Sequence, residues 1–175
     1  MDSAYFAQRI RTIADWPEPG VQFRDITPLL RDGAAFRRLI EAFAERYADE
    51  RIDAIAGIDA RGFIIGAALA YRLGCGFIPV RKAGKLPFAT VSESYALEYG
   101  EAVVEVHTDA AEAGEHVLVI DDLIATGGTM LAAVRLMQRL GAKIVEAGAV
   151  IDLPALGGAE RLRAAGVPIH ALLRY

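Results

Sequence analysis

A four-residue apolar run followed by two acids and a glycine-threonine loop constrains the fold of this chain more than any other feature. The run Val117–Ile120 has the β-branched bias that is typical of a parallel strand buried on both faces. Downstream, residues 130–140 carry apolar side chains at helical spacing. The stretch 117–129 therefore predicts a strand, a turn and the start of a helix.

The turn in this stretch has the composition of a site for a phosphorylated sugar. Asp121 and Asp122 follow the strand, where open parallel sheets bind ligands, and they can accept hydrogen bonds from hydroxyls or meet a hydrated cation. Hydroxyls, small residues and a helix N-terminus suit a phosphate monoester, and the loop lacks the lysine of nucleoside-triphosphate loops. The alternative is that the acids only cap a tight turn. The cradle residues are Thr126, Gly127, Gly128 and Thr129.

Composition narrows the class of protein. The 175 residues are enough for one domain with a substantial core, and the net charge of -4 argues against a nucleic acid or an anionic membrane as the main partner. The single cysteine excludes an internal disulfide, and the three histidines lack metal-ligand spacing. Without a signal-peptide pattern or a spanning apolar run, we expect a cytoplasmic protein.

Two further turns carry charge at the ends of predicted strands. Asp59–Gly62 follows the strand Asp53–Ile58 and precedes a helix over 63–73, so it is either an anion-binding turn or simply a tight one. Arg81 ends a predicted strand over residues 76–81, and Lys82 and Lys85 follow it. In an acidic protein this basic cluster is either a solvated charge run or an anion clamp.

The remaining segments predict a framework around these turns. The spacing of Phe6, Ile10 and Ile13 predicts a first helix that ends at Pro17 and serves subunit contact or core packing. An amphipathic helix is predicted over 33–47, and a strand, a short helix and a strand over 143–152, 158–165 and 168–175. Residues 83–100 lack core periodicity and predict a lid loop.

Several of these segments together resemble one family. Val117–Thr129 resembles the phosphoribosyl pyrophosphate signature of the type I phosphoribosyltransferases. Pro19–Pro28 and Ser94–Gly100 are similar to the base-recognising segment and catalytic loop of members that use adenine. The resemblance implies an α/β fold with a mainly parallel sheet of about five strands flanked by helices. It also implies a single domain over 1–175, with an N-terminal hood segment at 1–33 and a flexible lid at 83–100.

The resemblance implies a reaction in which adenine and phosphoribosyl pyrophosphate give AMP and pyrophosphate. Mg²⁺ would be carried by the diphosphate, with no direct protein ligand. Glu98 would manage the proton on the base, Tyr99 would help to cover the site, and Val21 and Arg24 would lie around the adenine. Asp121 and Asp122 would hold the ribose hydroxyls. The 5′-phosphate would be anchored by Ala125, Thr126, Gly127, Gly128 and Thr129.

The pyrophosphate site implied by the resemblance draws on both charged turns. It comprises Asp59, Ala60, Arg61, Arg81, Lys82 and Lys85, with a cis peptide between Asp59 and Ala60. The family also implies a homodimer. Two alternatives stay open: another purine as acceptor, such as hypoxanthine, guanine or xanthine, and a non-catalytic regulator that only binds the donor. The regulator is disfavoured because the chain has neither a nucleic-acid module nor a basic face.

Overall fold

A computed structural model of the chain describes residues 3–97 and 100–175 and divides into two compact units, residues 1–48 and 49–175. Each unit has its own sheet. Among the described residues, no helix has both the length and the apolar character needed to cross a membrane.

The N-terminal unit contains three helices and a two-stranded antiparallel sheet. The sheet pairs Arg11 with Asp25, and the same two side chains form an ion pair at 2.6 Å. The longest helix begins after Asp32, whose carboxylate accepts hydrogen bonds from the Ala34 and Ala35 N–H groups at 3.0 and 3.1 Å. The elements are α1 (Ser3–Ala7), β1 (Arg11–Ala14), β2 (Gln22–Asp25), α2 (Thr27–Arg31) and α3 (Gly33–Arg46).

The prediction of one continuous first helix was wrong. Helix α1 ends at Ala7, and Ile13 lies in strand β1, where it pairs with Phe23. Phe6 alone keeps the predicted helical and buried position. A spacing of three to four apolar residues cannot reveal this pairing, because β1 depends on a partner strand that follows a turn.

The larger unit is built on a seven-stranded sheet in the order β5-β6-β4-β3-β7-β8-β9. Strands β3, β4, β7, β8 and β9 are parallel, and β6 and β5 extend the sheet antiparallel. The mainly parallel α/β prediction is therefore confirmed. The strands are β3 (Ala54–Ile58), β4 (Gly76–Lys82), β5 (Thr90–Ala96), β6 (Glu101–His107), β7 (His116–Ile124), β8 (Lys143–Asp152) and β9 (Ile169–Arg174).

Three helices of the larger unit pack against its sheet. Helix α4 (Arg61–Leu73) packs against β3 and β7, and it ends at Gly74, which adopts the left-handed conformation common after a helix. Helix α5 (Gly128–Arg139) shares a core with Ala56 and Val119, to which α6 (Gly158–Ala164) adds Leu162. A short 3-10 helix at Pro154–Leu156 precedes α6.

Two segments are more regular than their sequence predicts. Strand β7 does not end at Ile120 but continues to Ile124, because the long β8 pairs with it as far as Asp152. Residues 90–96, predicted to be loop, form β5 and pair with β6 from Thr90 opposite His107 to Ala96 opposite Glu101. The predicted catalytic-loop segment Ser94–Gly100 therefore begins within a hairpin strand.

The crossing of α4 over the sheet depends on two glycines and one aromatic ring. A Cβ on Gly57 would lie 2.6 Å from Cε2 of Phe77, and a Cβ on Gly66 would lie 3.0 Å from the same atom. The ring therefore fills the space that side chains at both positions would need.

Replacing Gly57 with alanine should destabilise the fold through overpacking, by about 1–3 kcal/mol. Phe77→Leu in that background should recover part of the loss, since it removes the ring edge. The free energy of unfolding in urea would be measured for each variant. Gly33→Ala is the control, because no atom lies within 4 Å of a Cβ there. Equal losses at positions 57 and 33 would contradict the packing argument.

Candidate active site

The carboxyl ends of three parallel strands meet at one edge of the larger sheet. Ile58 of β3 pairs with Val80 of β4, and Gly57 pairs with Ile120 of β7. Each strand runs directly into a predicted site segment. Those segments are Asp59, Ala60 and Arg61 after β3, Arg81 and Lys82 at the end of β4, and Asp121 and Asp122 in β7. The fold thus brings together turns that are far apart in sequence, where open α/β sheets bind ligands.

The glycine-threonine loop forms a pocket at the start of α5. Gly127 caps the helix in the left-handed conformation with φ 75°, and the first N–H groups of the helix have no acceptors within it. The pocket encloses about 310 Å³ of empty space, including its open mouth. Exposed donors at a helix N-terminus favour an anion. The lining residues are Asp121, Leu123, Ile124, Ala125, Thr126, Gly127, Gly128, Thr129 and Met130.

The loop rests on the backbone of a second glycine. Gly158 donates its N–H to the Ala125 carbonyl at 3.1 Å, and a Cβ on Gly127 would lie 2.7 Å from the Gly158 carbonyl oxygen. Leu153 likewise donates its N–H to the Ile124 carbonyl at 3.0 Å. The two hydrogen bonds hold the carbonyls of Ile124 and Ala125, where the loop leaves β7, against the segment that follows β8.

Arg61 and Asp122 form an ion pair across the edge of the sheet. Nε of Arg61 lies 2.5 Å from Oδ2 of Asp122, whose residue is only 4% exposed. The next residue of α4, Gly62, lets the helix approach β7 so closely that a Cβ would lie 2.8 Å from the Ile120 carbonyl and 3.0 Å from Oδ1 of Asp121. A group predicted to bind pyrophosphate thus contacts a group predicted to bind ribose.

The second predicted basic group is also paired. Nε of Arg81 lies 3.4 Å from Oδ2 of Asp59, and its Nη1 donates to the Lys85 carbonyl at 3.2 Å. The Asp59 N–H donates to the Val80 carbonyl at 2.9 Å, which holds the turn against β4. The peptide bond between Asp59 and Ala60 is cis, as predicted. Lys82 and Lys85 are exposed on the same segment.

Asp121 is the carboxyl group whose ionisation the fold opposes. Its residue keeps partial exposure, but protein atoms surround the carboxyl group, and burial raises its pKa well above the ordinary value. The neighbouring charge of Asp122 raises the pKa further, although Oδ1 of Asp121 accepts the Asp122 N–H at 2.8 Å. A cation bound beside the two carboxylates would relieve this repulsion.

Four predicted residues are not joined to this arrangement by the structure. Val21 and Arg24 belong to the N-terminal unit, where Arg24 donates a hydrogen bond to the Thr12 hydroxyl and Val21 is 37% exposed. Glu98 and Tyr99 lie outside the described residues. Their roles stay predictions.

The oxygen donors present suit Mg²⁺, which prefers carboxylates and keeps several waters. Asp121 and Asp122 supply such oxygens beside the anion pocket. Within residues 3–97 and 100–175, no three or more His, Cys, Asp or Glu side chains are grouped as a metal site.

Known proteins resemble the chain over almost its whole length. The family profile described as "Phosphoribosyl transferase domain" matches residues 26–164. An adenine phosphoribosyltransferase of Methylibium petroleiphilum is 63% identical over 174 residues, which is 99% of this chain and 89% of the relative. The chain belongs to the adenine phosphoribosyltransferase family.

Solved adenine phosphoribosyltransferases have the same fold. The enzyme from Rhodothermus marinus superposes with a TM-score of 0.93 at 48% identity, covering 99% of this chain and 98% of the other. One from Trypanosoma brucei, solved with AMP, pyrophosphate and ribose-5-phosphate, has a TM-score of 0.89 at 30% identity and coverages of 98% and 79%. The family predicted from the motifs is confirmed.

Sequence reasoning missed two residues that shape the phosphoribosyltransferase site. Gly158 donates its N–H to the Ala125 carbonyl and so supports the glycine-threonine loop. The adjacent glycines Gly157 and Gly158 after β8 were the sequence signal that could have indicated this close contact. Tyr95 covers Gly128, where a Cβ would lie 3.0 Å from Cδ2 of the ring. Its signal was the alternation of Val91, Glu93 and Tyr95, which face inward along β5.

Replacing Asp121 with asparagine should raise stability at neutral pH while lowering activity. In the wild type, the raised pKa means that the folded state holds a proton that the unfolded state releases above pH ~3.9. Stability therefore falls as pH rises from there through the folded pKa. Asparagine can still accept the Asp122 N–H and carries no charge, so its advantage should grow with pH over this window.

Thermal unfolding of the Asp121→Asn variant would be compared with the wild type between pH 4 and pH 8. Asp109→Asn, at an exposed carboxyl, is the control. A difference in Tm that does not change with pH would contradict the ionisation argument.

Proposed function

We propose that this protein catalyses purine salvage, transferring the phosphoribosyl group of phosphoribosyl pyrophosphate to adenine and releasing pyrophosphate. The observation that carries the proposal is the anion pocket beside two carboxylates, in a chain 63% identical to an adenine phosphoribosyltransferase. We expect it to act in the cytoplasm, since a donor with this much charge does not cross membranes unaided.

The phosphate loop would hold the 5′-phosphate, which fixes the donor at one end. N–H groups of the α5 N-terminus and the hydroxyls of Thr126 and Thr129 are the donors available in the pocket. Asp121 and Asp122 would then accept hydrogen bonds from the ribose hydroxyls. With both ends of the sugar held, C1 would be directed toward the base.

The pyrophosphate would be neutralised by exchange of ion pairs. Arg61 and Arg81 contact Asp122 and Asp59 in the structure, and a diphosphate offers each guanidinium a more highly charged partner. Release of Asp122 would free its carboxylate for the ribose. Lys82 and Lys85, both exposed nearby, would add positive charge around the leaving group. Bound Mg²⁺ would supply further charge neutralisation of the diphosphate.

Val21 and Arg24 are the residues proposed to lie around the acceptor base. Adenine presents an amino donor and ring-nitrogen acceptors, which main-chain groups around Val21 and Arg24 can read. Glu98 would take the proton that the imidazole ring loses when the new bond forms. Water must be kept away from the cationic sugar during this step, a task for which Tyr99 and the lid segment 83–100 are proposed.

The test is AMP formation from labelled adenine and phosphoribosyl pyrophosphate with Mg²⁺, beside hypoxanthine, guanine and xanthine. Turnover of adenine alone would establish both reaction and specificity. Faster turnover of another base would show that this base, and not adenine, is the acceptor. Donor binding without turnover of any base would favour the regulator.

Glu98→Gln should lower kcat by about 10²–10⁴, the usual range for loss of a general acid or base. The dissociation constant of phosphoribosyl pyrophosphate should stay close to that of the wild type, because the proposed donor contacts come from other residues. Steady-state kinetics and calorimetric titration with the donor measure the two quantities. Glu101→Gln, at an exposed position next to the tip, is the matched control. Normal turnover by Glu98→Gln would remove its role.

The homodimer is proposed from the outer face of α4. Ile64 is 46% exposed and Tyr71 is 91% exposed, and they lie two turns apart with the small residue Ala67 between them. An apolar row of this kind suits an isologous helix contact between two copies. The row starts beside Arg61, so such an interface would adjoin the pyrophosphate turn.

The double substitution Ile64→Glu with Tyr71→Glu should shift a dimer toward monomer, since charge on the row opposes its burial. Sedimentation of the wild type and the variant across a concentration series gives the two states. Leu156→Glu, at a residue 51% exposed, is the control for added surface charge. A variant that dimerises like the wild type would place the interface elsewhere.

A further inference from the structure

Strand β5 lies along helix α5 and contacts it at three levels. At the helix N-terminus, the Tyr95 ring lies against Gly128. In the middle, the Glu93 carboxylate lies 3.4 Å from Nη1 of Arg135. Toward the C-terminus, Arg139 contacts Glu93 and donates to the Ser92 carbonyl at 2.7 Å.

These contacts form a regular ladder. Along β5 the inward positions alternate, and Val91 and Tyr95 on either side of Glu93 pack on the hydrophobic core. On the helix, Gly128, Arg135 and Arg139 are spaced by seven and four residues, which places them on one face. From Ser92 to Tyr95, the strand therefore runs along the helix face from the C-terminal end of α5 toward its N-terminal end.

The ion pairs in the ladder are sheltered more than ordinary surface pairs. The Glu93 side chain is 15% exposed, although both arginines remain about half exposed. Two guanidinium groups and a main-chain bond to Ser92 together fix the strand in one register along the helix. A network of this kind restricts motion more than a single exposed pair does.

The ladder joins the two parts of the site that must meet during the reaction. Its upper end is the first residue of α5, which forms the phosphate pocket. Glu98 follows Tyr95 by three residues in the sequence, and the Leu97 N–H donates to the Gly100 carbonyl at 3.0 Å across the hairpin end. A displacement of β5 along α5 would move Leu97, to which Glu98 is joined, relative to the pocket at the start of α5.

We propose that Tyr95 and Glu93 are positioning residues, which set the catalytic hairpin against the phosphate loop through Gly128 and through Arg135 and Arg139. The inference rests on the proposed phosphoribosyl transfer. Neither side chain takes part in bond formation or proton transfer in this proposal. They act by holding Glu98 in register with a donor whose 5′-phosphate is bound at the start of α5.

The first test uses the tight contact between Gly128 and the Tyr95 ring. The backbone of Gly128 is not left-handed, so the conformation itself admits alanine. What opposes alanine there is the lack of room, because Cδ2 of Tyr95 would lie 3.0 Å from the new Cβ. Gly128→Ala should push the hairpin outward and lower kcat by roughly 10-fold to 10²-fold, as expected for a small misplacement of a catalytic group. The dissociation constant of AMP is measured calorimetrically beside kcat, because Gly128 also lines the anion pocket. Only the part of the kcat loss that a change at Tyr95 recovers is assigned to the hairpin.

The second substitution, Tyr95→Leu, separates this effect from damage to the loop. Leucine keeps apolar contact with the core but removes the ring edge over residue 128. In the Gly128→Ala background it should raise kcat above that of Gly128→Ala alone, whereas in the wild-type background it should lower kcat. If Tyr95→Leu recovers nothing in that background, the loss arises within the phosphate loop and the proposal is overturned.

The ion pairs are tested by a double-mutant cycle. Glu93→Gln and Arg139→Gln should each lower kcat with little change in AMP affinity. The double variant should lose about as much kcat as Glu93→Gln alone, because Glu93→Gln already removes the pair with Arg139. Charge exchange, with Glu93→Arg and Arg139→Glu combined, should recover part of kcat. Glu160→Gln is the control, since it breaks a helical ion pair with Arg163 at 2.5 Å outside the ladder.

Other readouts distinguish positioning from a stabilising role. Thermal unfolding of every variant identifies losses that reflect unfolding, and kcat is compared well below each Tm. Full additivity in the cycle, or loss of AMP affinity in parallel with kcat in the Glu93 and Arg139 variants, would overturn the proposal. Wild-type turnover of adenine is measured first, so absence of that activity would count against the proposed function and not against the ladder.

Discussion

Charge pairing at the carboxyl edge of the larger sheet is the constraint on which the site depends. Arg61 contacts Asp122, and Arg81 contacts Asp59, so groups of opposite sign at the ends of three strands stabilise each other in the folded chain. Buried charges need such partners, since an unpaired carboxylate at the depth of Asp122 is costly. In the proposed function, a diphosphate would bind the two arginines and so release the carboxylates from these pairs.

The chemistry of the site could be predicted from sequence more fully than its geometry. Asp121, Asp122 and the glycine-threonine loop were recognisable because phosphate binding requires particular residue types at close spacing. Their pairing with Arg61 was not, since it depends on how closely α4 approaches β7 at Gly62. The buttress at Gly158 was hidden for a similar reason: it is a backbone contact between segments about thirty residues apart.

The errors in the fold have physical causes of the same kind. Helical spacing of Phe6, Ile10 and Ile13 did not distinguish a helix from a short helix followed by β1, because strand formation there depends on pairing with β2. Strand β5 escaped recognition because Glu93 interrupts its inward apolar alternation. The arginines that make this position favourable for a carboxylate lie more than forty residues away in sequence.

Glycine at residues 127 and 128 serves two different geometrical needs. Gly127 needs a left-handed backbone and approaches Gly158, so any side chain there conflicts with both the conformation and the main chain of α6. Gly128 is a helical residue whose missing side chain leaves room only for the Tyr95 ring. The first glycine shapes the anion cradle, and the second lets the hairpin approach it. In the proposed function, the loop that would bind phosphate also contacts the strand that leads to Glu98, so donor binding and proton transfer would be linked through one short segment of chain.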